Sequence, residues 1–239
     1  MKNEDGQNRQ AAALLAMQER SGSIHVSETD RLLLIQTDQF LYCYNKLSGM
    51  FEQVTIDGKE QFDAPMELNI WRAPTDNDRR IKDEWIRAGY DRSHSRAYKT
   101  EWTVQEEKVQ IHSRLSVSAV ALQKVLEIDV MWEISGRGEF SVKMHVRKDT
   151  EFPELPRFGI RLFLKGEYET IQFYGLGPHE SYQDKYHSCS HGLYESSIEE
   201  QHEDYIRPQE NGSHTDCDYM VLKKRKSSIC GSLPNNIFF

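Results

Sequence analysis

Residues able to do chemistry collect in two polar stretches of this 239-residue chain. The first is L-N-I-W-R-A-P-T-D-N-D, from Leu68 to Asp78. Apolar residues and Trp71 carry the backbone to Arg72, Ala73-Pro74 forbids helix, and Thr75, Asp76, Asn77 and Asp78 crowd together. The pattern predicts a strand ending in a loop dense in polar groups. Asp and Asn bond readily to nearby backbone, so the plain structural expectation is a turn anchored by Arg72 pairing with a carboxylate. The second stretch, G-L-G-P-H-E-S-Y-Q-D, ends a strand in a Gly-Pro corner that carries His179, Glu180 and Asp184. Catalysis by paired carboxyl groups needs them on opposite sides of the substrate. Asp76 and Asp78 are too close in sequence to be set that way, and the sequence does not fix their distance from Glu180 and Asp184.

Strands must position both loops. Short apolar runs at Ile24 to Val26 and Leu32 to Gln36 are separated by S-E-T-D, Phe40 to Asn45 alternates, and Phe51 to Ile56 runs into Asp57-Gly58, a hairpin turn dipeptide that accepts positive φ. After the Asp-rich loop, Ile81, Trp85 and Ala88 fall at helical spacing, with Gly89 as the stop. Strand patterns return at Tyr98 to Val104, Val109 to Val117, Leu122 to Trp132 and Phe140 to Val146. Further extended segments follow at L-P-R-F-G-I-R-L-F-L, at I-Q-F-Y-G-L and at Y-I-R-P-Q-E-N-G. Strands at intervals of about ten residues, with turn signals between them, predict an all-β fold: a large antiparallel β-sandwich with one or two short helices. Met1 to Ser23 stands apart as a helix-forming segment or tail, a linker from a preceding domain, leaving residues 24–239 as the sandwich.

Composition narrows the partners. With 30 basic against 38 acidic residues the net charge is −8, which disfavours nucleic acid and anionic membrane, and K-K-R-K at Lys223 to Lys226 reads as a solvated hairpin tip. Cys43, Cys189, Cys217 and Cys230 are scattered without C-x-x-C or zinc-ribbon spacing, so free buried thiols and no metal are expected. No apolar run approaches the roughly 20 residues of a membrane span, and the N-terminus lacks a secretion-signal pattern. A cytoplasmic protein is the expectation.

The eight residues W-R-A-P-T-D-N-D resemble the signature that opens the C-terminal domain of bacterial β-galactosidases of glycoside hydrolase family two, a domain also found as the small chain of two-chain enzymes. P-R-F-G, G-L-G-P-H-E-S-Y-Q-D, H-G-L-Y and R-P-Q-E-N-G-S-H-T-D are similar to blocks of the same domain, in the same order. The resemblance covers about residues 24 to 239. It implies a supersandwich of the galactose-mutarotase kind that borders the active site of an enzyme hydrolysing terminal β-D-galactosyl bonds. The acid and nucleophile would lie on a separate barrel domain, so no catalytic residue and no cofactor is expected in this chain. Arg72, Asp76, Asn77 and Asp78 would border the substrate pocket, Arg72 orienting a carboxylate or carbonyl and the others holding the loop or accepting sugar hydroxyls.

His179 and Glu180 are secondary candidates, because galactose mutarotases use a His acid with a Glu base. Adjacent residues in extended backbone point to opposite faces, which argues against that pairing here. A stand-alone carbohydrate-binding module, or less readily an aldose mutarotase, is the alternative. The chain stops at P-N-N-I-F-F, whose phenylalanines look like the interior of a strand, so it reads as a fragment or a shortened form with an open sheet edge. The expected partners are the barrel-containing part of a β-galactosidase, the β-galactoside reached through the complete enzyme, and a second copy of the chain.

Overall fold

The computed structural model describes residues 23–182, 184–224 and 237–238. The N-terminal helix or tail through residue 22, Arg225 and Lys226 of the basic run, Cys230 and the final Phe239 lie outside the described residues. The described chain is all-β and antiparallel, as expected, and divides into two compact units, one running to Leu164 and one beginning at Lys165.

In the first unit, β1 (His25–Glu28), β2 (Leu32–Gln36), β3 (Phe40–Asn45), β4 (Met50–Ile56) and β5 (Lys59–Glu60) form a five-stranded meander. Asp57 and Gly58 close the β4–β5 hairpin with φ of 49° and 72°, the positive values that this dipeptide tolerates. β6 (Phe62–Asn69) then leads to Trp71 and Arg72. The long strands β7 (His94–Gln105), β8 (Lys108–Ser118), β9 (Leu126–Ser135) and β10 (Phe140–Lys148) make a second sheet, and β11 (Gly159–Leu164) pairs back onto β6. The alternation in β9 has a direct physical use. Leu126, Ile128, Val130, Trp132 and Ile134 are all buried, whereas Met131 between them is exposed. The strand expected from Leu122 starts only at Leu126, because Ala121 sits at φ 61° in a turn ahead of it.

The two large sheets share one core. Phe51 meets Trp132 edge-on at 5.1 Å and Phe140 at 5.6 Å, and polar groups are satisfied across the same layer: Tyr44 Oη lies 2.7 Å from Ser113 Oγ, and Tyr42 donates to the Gly138 carbonyl at 2.7 Å. Each fully buried large side chain contributes about 1.5–3 kcal/mol of burial free energy, so the sheets hold one another and the loops hang from their ends.

The second unit is built on β12 (Tyr168–Gly177), which pairs with β13 (Ser190–Ser197) on one side and β14 (Tyr219–Lys224) on the other. β15 (Ile237–Phe238) pairs with β14. Lys223 and Lys224 are strand residues and not a hairpin tip. They pair in register with Thr170 and Tyr168 and ion-pair with Glu195 and Glu167, which fixes them beside the central strand. The Y-I-R-P-Q-E-N-G segment forms a loop without ladder bonds.

Cys43, Cys189 and Cys217 are free, as expected, but only Cys43 is buried; Cys189 is half-buried and Cys217 exposed. Among the described residues, no helix is long and apolar enough to cross a membrane.

The helix expected after the Asp-rich loop is α1 (Lys82–Arg87), with Trp85 and Ala88 buried. Gly89 follows at φ 76°, and a Cβ there would lie 2.6 Å from Ala119 Cβ and 2.8 Å from Leu122 Cδ1. Both the left-handed backbone and the close packing require glycine. Gly89→Ala is therefore expected to lower unfolding free energy by about 1–3 kcal/mol, read from the urea midpoint. An unchanged midpoint would sink this account of the helix stop.

Candidate functional site

The first loop is built outward from the end of β6. The Asn69 side chain turns the chain by donating to the Trp71 carbonyl at 2.7 Å while accepting from the Trp71 N–H at 3.2 Å. Arg72 then folds back onto Asp78. Nη1 lies 2.5 Å from Oδ2 and Nη2 3.1 Å from Oδ1, a two-pronged pair of the kind that only a planar guanidinium makes. Thr75 adds its backbone N–H at 2.7 Å and its hydroxyl at 2.9 Å to the same carboxylate oxygen.

Beneath the pair, Trp85 carries the guanidinium over its ring at 5.5 Å, meets Trp71 edge-on at 6.4 Å, and donates Nε1–H to the Glu154 carbonyl at 2.8 Å. The side chains of Arg72 and Asp78 are only 11% and 12% exposed. Burial pushes the Asp78 carboxyl upward, but the Arg72 pair and the two Thr75 bonds outweigh it and hold the group below its ordinary value. Asp78 is thus an ionised anchor, and the carboxylate that Arg72 grips belongs to its own loop. The anchoring leaves Asp76 half-buried and Asn77 exposed at the turn.

The second loop lies in the other unit. His179 is exposed and Glu180 buried, as alternation requires, and the peptide joining Gly177 to Pro178 is cis. Glu180 Oε1 accepts from Lys185 Nζ and from the Tyr205 hydroxyl, and Oε2 accepts the Gly212 N–H at 3.0 Å. Burial again pushes the carboxyl up, and the Lys185, Tyr205 and Gly212 donors bring it below its ordinary value. Lys185 is shifted the other way: burial lowers it, but Glu180 and Tyr205 outweigh that and raise it above its ordinary value.

Gly212 adopts φ 67°, and a Cβ there would stand 2.9 Å from the Gln201 carbonyl, so the N–H that reaches Glu180 depends on glycine. Next to it, Ser181 and Thr215 exchange bonds: Thr215 N–H to Ser181 Oγ at 2.7 Å, and the Thr215 hydroxyl to the Ser181 carbonyl at 2.9 Å. A groove of about 200 Å³ opens beside Glu180, lined by Pro178, His179, Ser196, Glu200, Gln201 and Gly212 among others. Asp184 is exposed.

The structure therefore joins Arg72 with Asp78, and Glu180 with two residues that the sequence did not single out, Lys185 and Tyr205. Tyr205 and Gly212 sit 25 and 32 positions from Glu180, a separation that carries no local signal. Only Lys185, in the same loop, could have been suspected. Among the described residues no group of three or more His, Cys, Asp or Glu side chains is arranged to hold a metal ion.

Comparison with known proteins adds a family. The model of the beta galactosidase small chain matches residues 36–238. A β-galactosidase of Actinobacillus pleuropneumoniae is 36% identical over 212 residues, covering 89% of this chain and 21% of that protein. The β-galactosidase of Staphylococcus xylosus is 30% identical over 217 residues, 90% of this chain and 22% of its own length. That of Pseudoalteromonas haloplanktis is 28% identical over 210 residues, 83% and 20% respectively. The chain spans about a fifth of the length of these relatives.

The two anchors set a pH dependence. Asp78 and Glu180 both titrate below their ordinary values of 3.8 and 4.5, so what they contribute to stability is complete above those values and is lost as pH falls through the lowered folded-state pKa. Asp78→Asn should cost about 1–3 kcal/mol at pH 7, because Arg72 is left buried beside a neutral amide. The same variant should lose less stability than the wild type between about pH 5 and pH 2. Urea midpoints across that range check both; equal acid losses in the two proteins would remove Asp78 from the account.

Proposed function

The chain belongs to the beta galactosidase small chain family, and we propose that it is the C-terminal β-sandwich part of a β-galactosidase, the part that borders and shapes the site where terminal β-D-galactosyl bonds are hydrolysed. The observation that carries this reading is the family match across residues 36–238, joined to the geometry of the two buried carboxylates. A glycosidase acts through two carboxyl groups about 5–10 Å apart, one of them kept protonated as the acid. Asp78 and Glu180 are the opposite kind of group: each is held ionised by several donors, four on Asp78 and three on Glu180. They are fit to fix loops and unfit to give a proton. The reaction centre is accordingly assigned to the remaining part of the enzyme.

Membership in glycoside hydrolase family two, a cytoplasmic location and a role without cofactor belong to the same reading, supported by the W-R-A-P-T-D-N-D resemblance. Within it, Arg72 and Asp78 form the support, and Asp76 and Asn77 are the groups presented toward sugar hydroxyls. A mutarotase is disfavoured because Glu180 is occupied by Lys185, Tyr205 and the Gly212 N–H and is not left free to act as a base.

The chain alone is expected to release no chromogenic aglycone from a β-galactoside. Combined with the barrel-bearing part of a β-galactosidase, it should restore turnover. In that assembly Asn77→Ala should lower kcat/KM about tenfold, the value of one hydrogen bond to substrate, while the urea midpoint stays put. Turnover by the isolated chain that disappears in Glu180→Gln would overturn the assignment.

A further inference from the structure

The Glu180 network does more than settle a corner. It fixes the loop from Glu203 to Asn211, whose ends are tied by the Asn211 side chain: Nδ2 donates to the Glu203 carbonyl at 2.7 Å and Oδ1 accepts the Glu203 N–H at 3.2 Å. Tyr205 bonds Glu180 through its hydroxyl and lies under Lys185, whose Nζ stands 4.0 Å from the ring centroid. Gly212, just past the loop, donates to the same carboxylate. A buried carboxylate, a lysine and two bridging bonds hold a loop whose residues from Glu203 to Gln209 are exposed. At its crest Ile206 is 102% exposed, beside Tyr205 at 37%, with Tyr186 at 44% next to the latch lysine in sequence.

A lone apolar residue on a floppy surface asks for no explanation. An isoleucine raised on a loop whose shape is already fixed is different, because ordering costs that would oppose binding have been met within the chain. Aromatic and apolar side chains standing on rigid supports, ringed by polar residues, are the anatomy of an interface anchor. The sequence leading to Ile206 is acidic on balance: Glu199, Glu200, Glu203 and Asp204 are exposed before it, with Arg207 exposed directly after it.

We propose that the Glu203–Asn211 loop is the element by which this chain docks onto the remaining part of a β-galactosidase, Ile206 entering an apolar socket rimmed by lysine or arginine. This rests on the functional reading above. The choice of occupant follows from two observations. The chain matches about a fifth of relatives that carry the other four-fifths in one polypeptide, and the excess of acidic over basic side chains in residues 199–207 favours a basic rim. One loop does not make a stable interface of about 800 Å² per side, so Ile206 is an anchor within a wider contact.

The test uses this chain and the Actinobacillus pleuropneumoniae β-galactosidase expressed without its matching region, with association measured by sedimentation and by recovery of β-galactoside turnover. Ile206→Asp should raise the Kd at least tenfold and leave circular dichroism and the urea midpoint unchanged. Val120→Asp, at a residue 76% exposed in the other unit, should bind as the wild type does. Adding salt should weaken the wild-type complex. If the wild type associates and Ile206→Asp associates equally well, the docking inference fails while the functional reading stands. If the wild type neither associates nor restores turnover, both fail. Self-association of the chain that vanishes in Ile206→Asp would make a second copy the occupant and overturn the inference as stated.

Discussion

Removing a carboxylate from water costs several kcal/mol unless donors meet it where it lies, and the two loops of this protein are shaped by that requirement. Asp78 recruits both prongs of Arg72 and two donors from Thr75, and to do so the backbone between them must double back within six residues. Glu180 recruits Lys185, Tyr205 and Gly212, which pulls a distant segment onto the end of β12. In both places the charge came first and the loop follows from satisfying it. Replacing either anion by an amide removes the reason for the fold of the surrounding residues, not merely one contact.

The sheets supply what the charges cannot. Loop residues are positioned only as well as the strands from which they depart, and β6 is fastened by pairing with β11 and by packing Met66 and Leu68 into the common core. Trp85 joins the two levels. It is buried in that core, yet its ring lies under Arg72 and its Nε1–H reaches a carbonyl after β10, so the apolar packing and the polar anchor share one side chain. This coupling explains why an aromatic residue on a helix of only six residues matters to the Asp-rich loop.

Much of the first unit was legible because its signals are local. Asp57-Gly58 fixes a turn by backbone preference, Gly89 ends a helix for the same reason, and β9 announces its buried face by strict alternation. Arg72 six positions from Asp78 was readable as a turn anchored by a carboxylate, although the choice among Asp76 and Asp78 was not. The second unit was harder. β13 contains S-H-G-L-Y-E-S-S, with little apolar alternation, and β14 ends in lysines that look like a turn until Glu195 and Glu167 are seen beside them. Tyr205 carried no signal at all, since its partner is defined by tertiary pairing and not by sequence spacing.

The two anchors also differ in kind, and the difference bears on what each loop can do. Arg72 is planar, nearly enclosed and held from below by Trp85, so its loop has few ways to move. Lys185 is a flexible cation, 29% exposed, that holds its carboxylate as a point charge, with the loop's ends tied separately by Asn211. A rigid platform suits contact with a small sugar, where a 1 Å error is costly, and a crest whose shape is fixed before contact suits a protein surface. The distribution of Arg and Lys between the two anchors is consistent with the roles proposed for them, one loop toward substrate and one toward the rest of the enzyme.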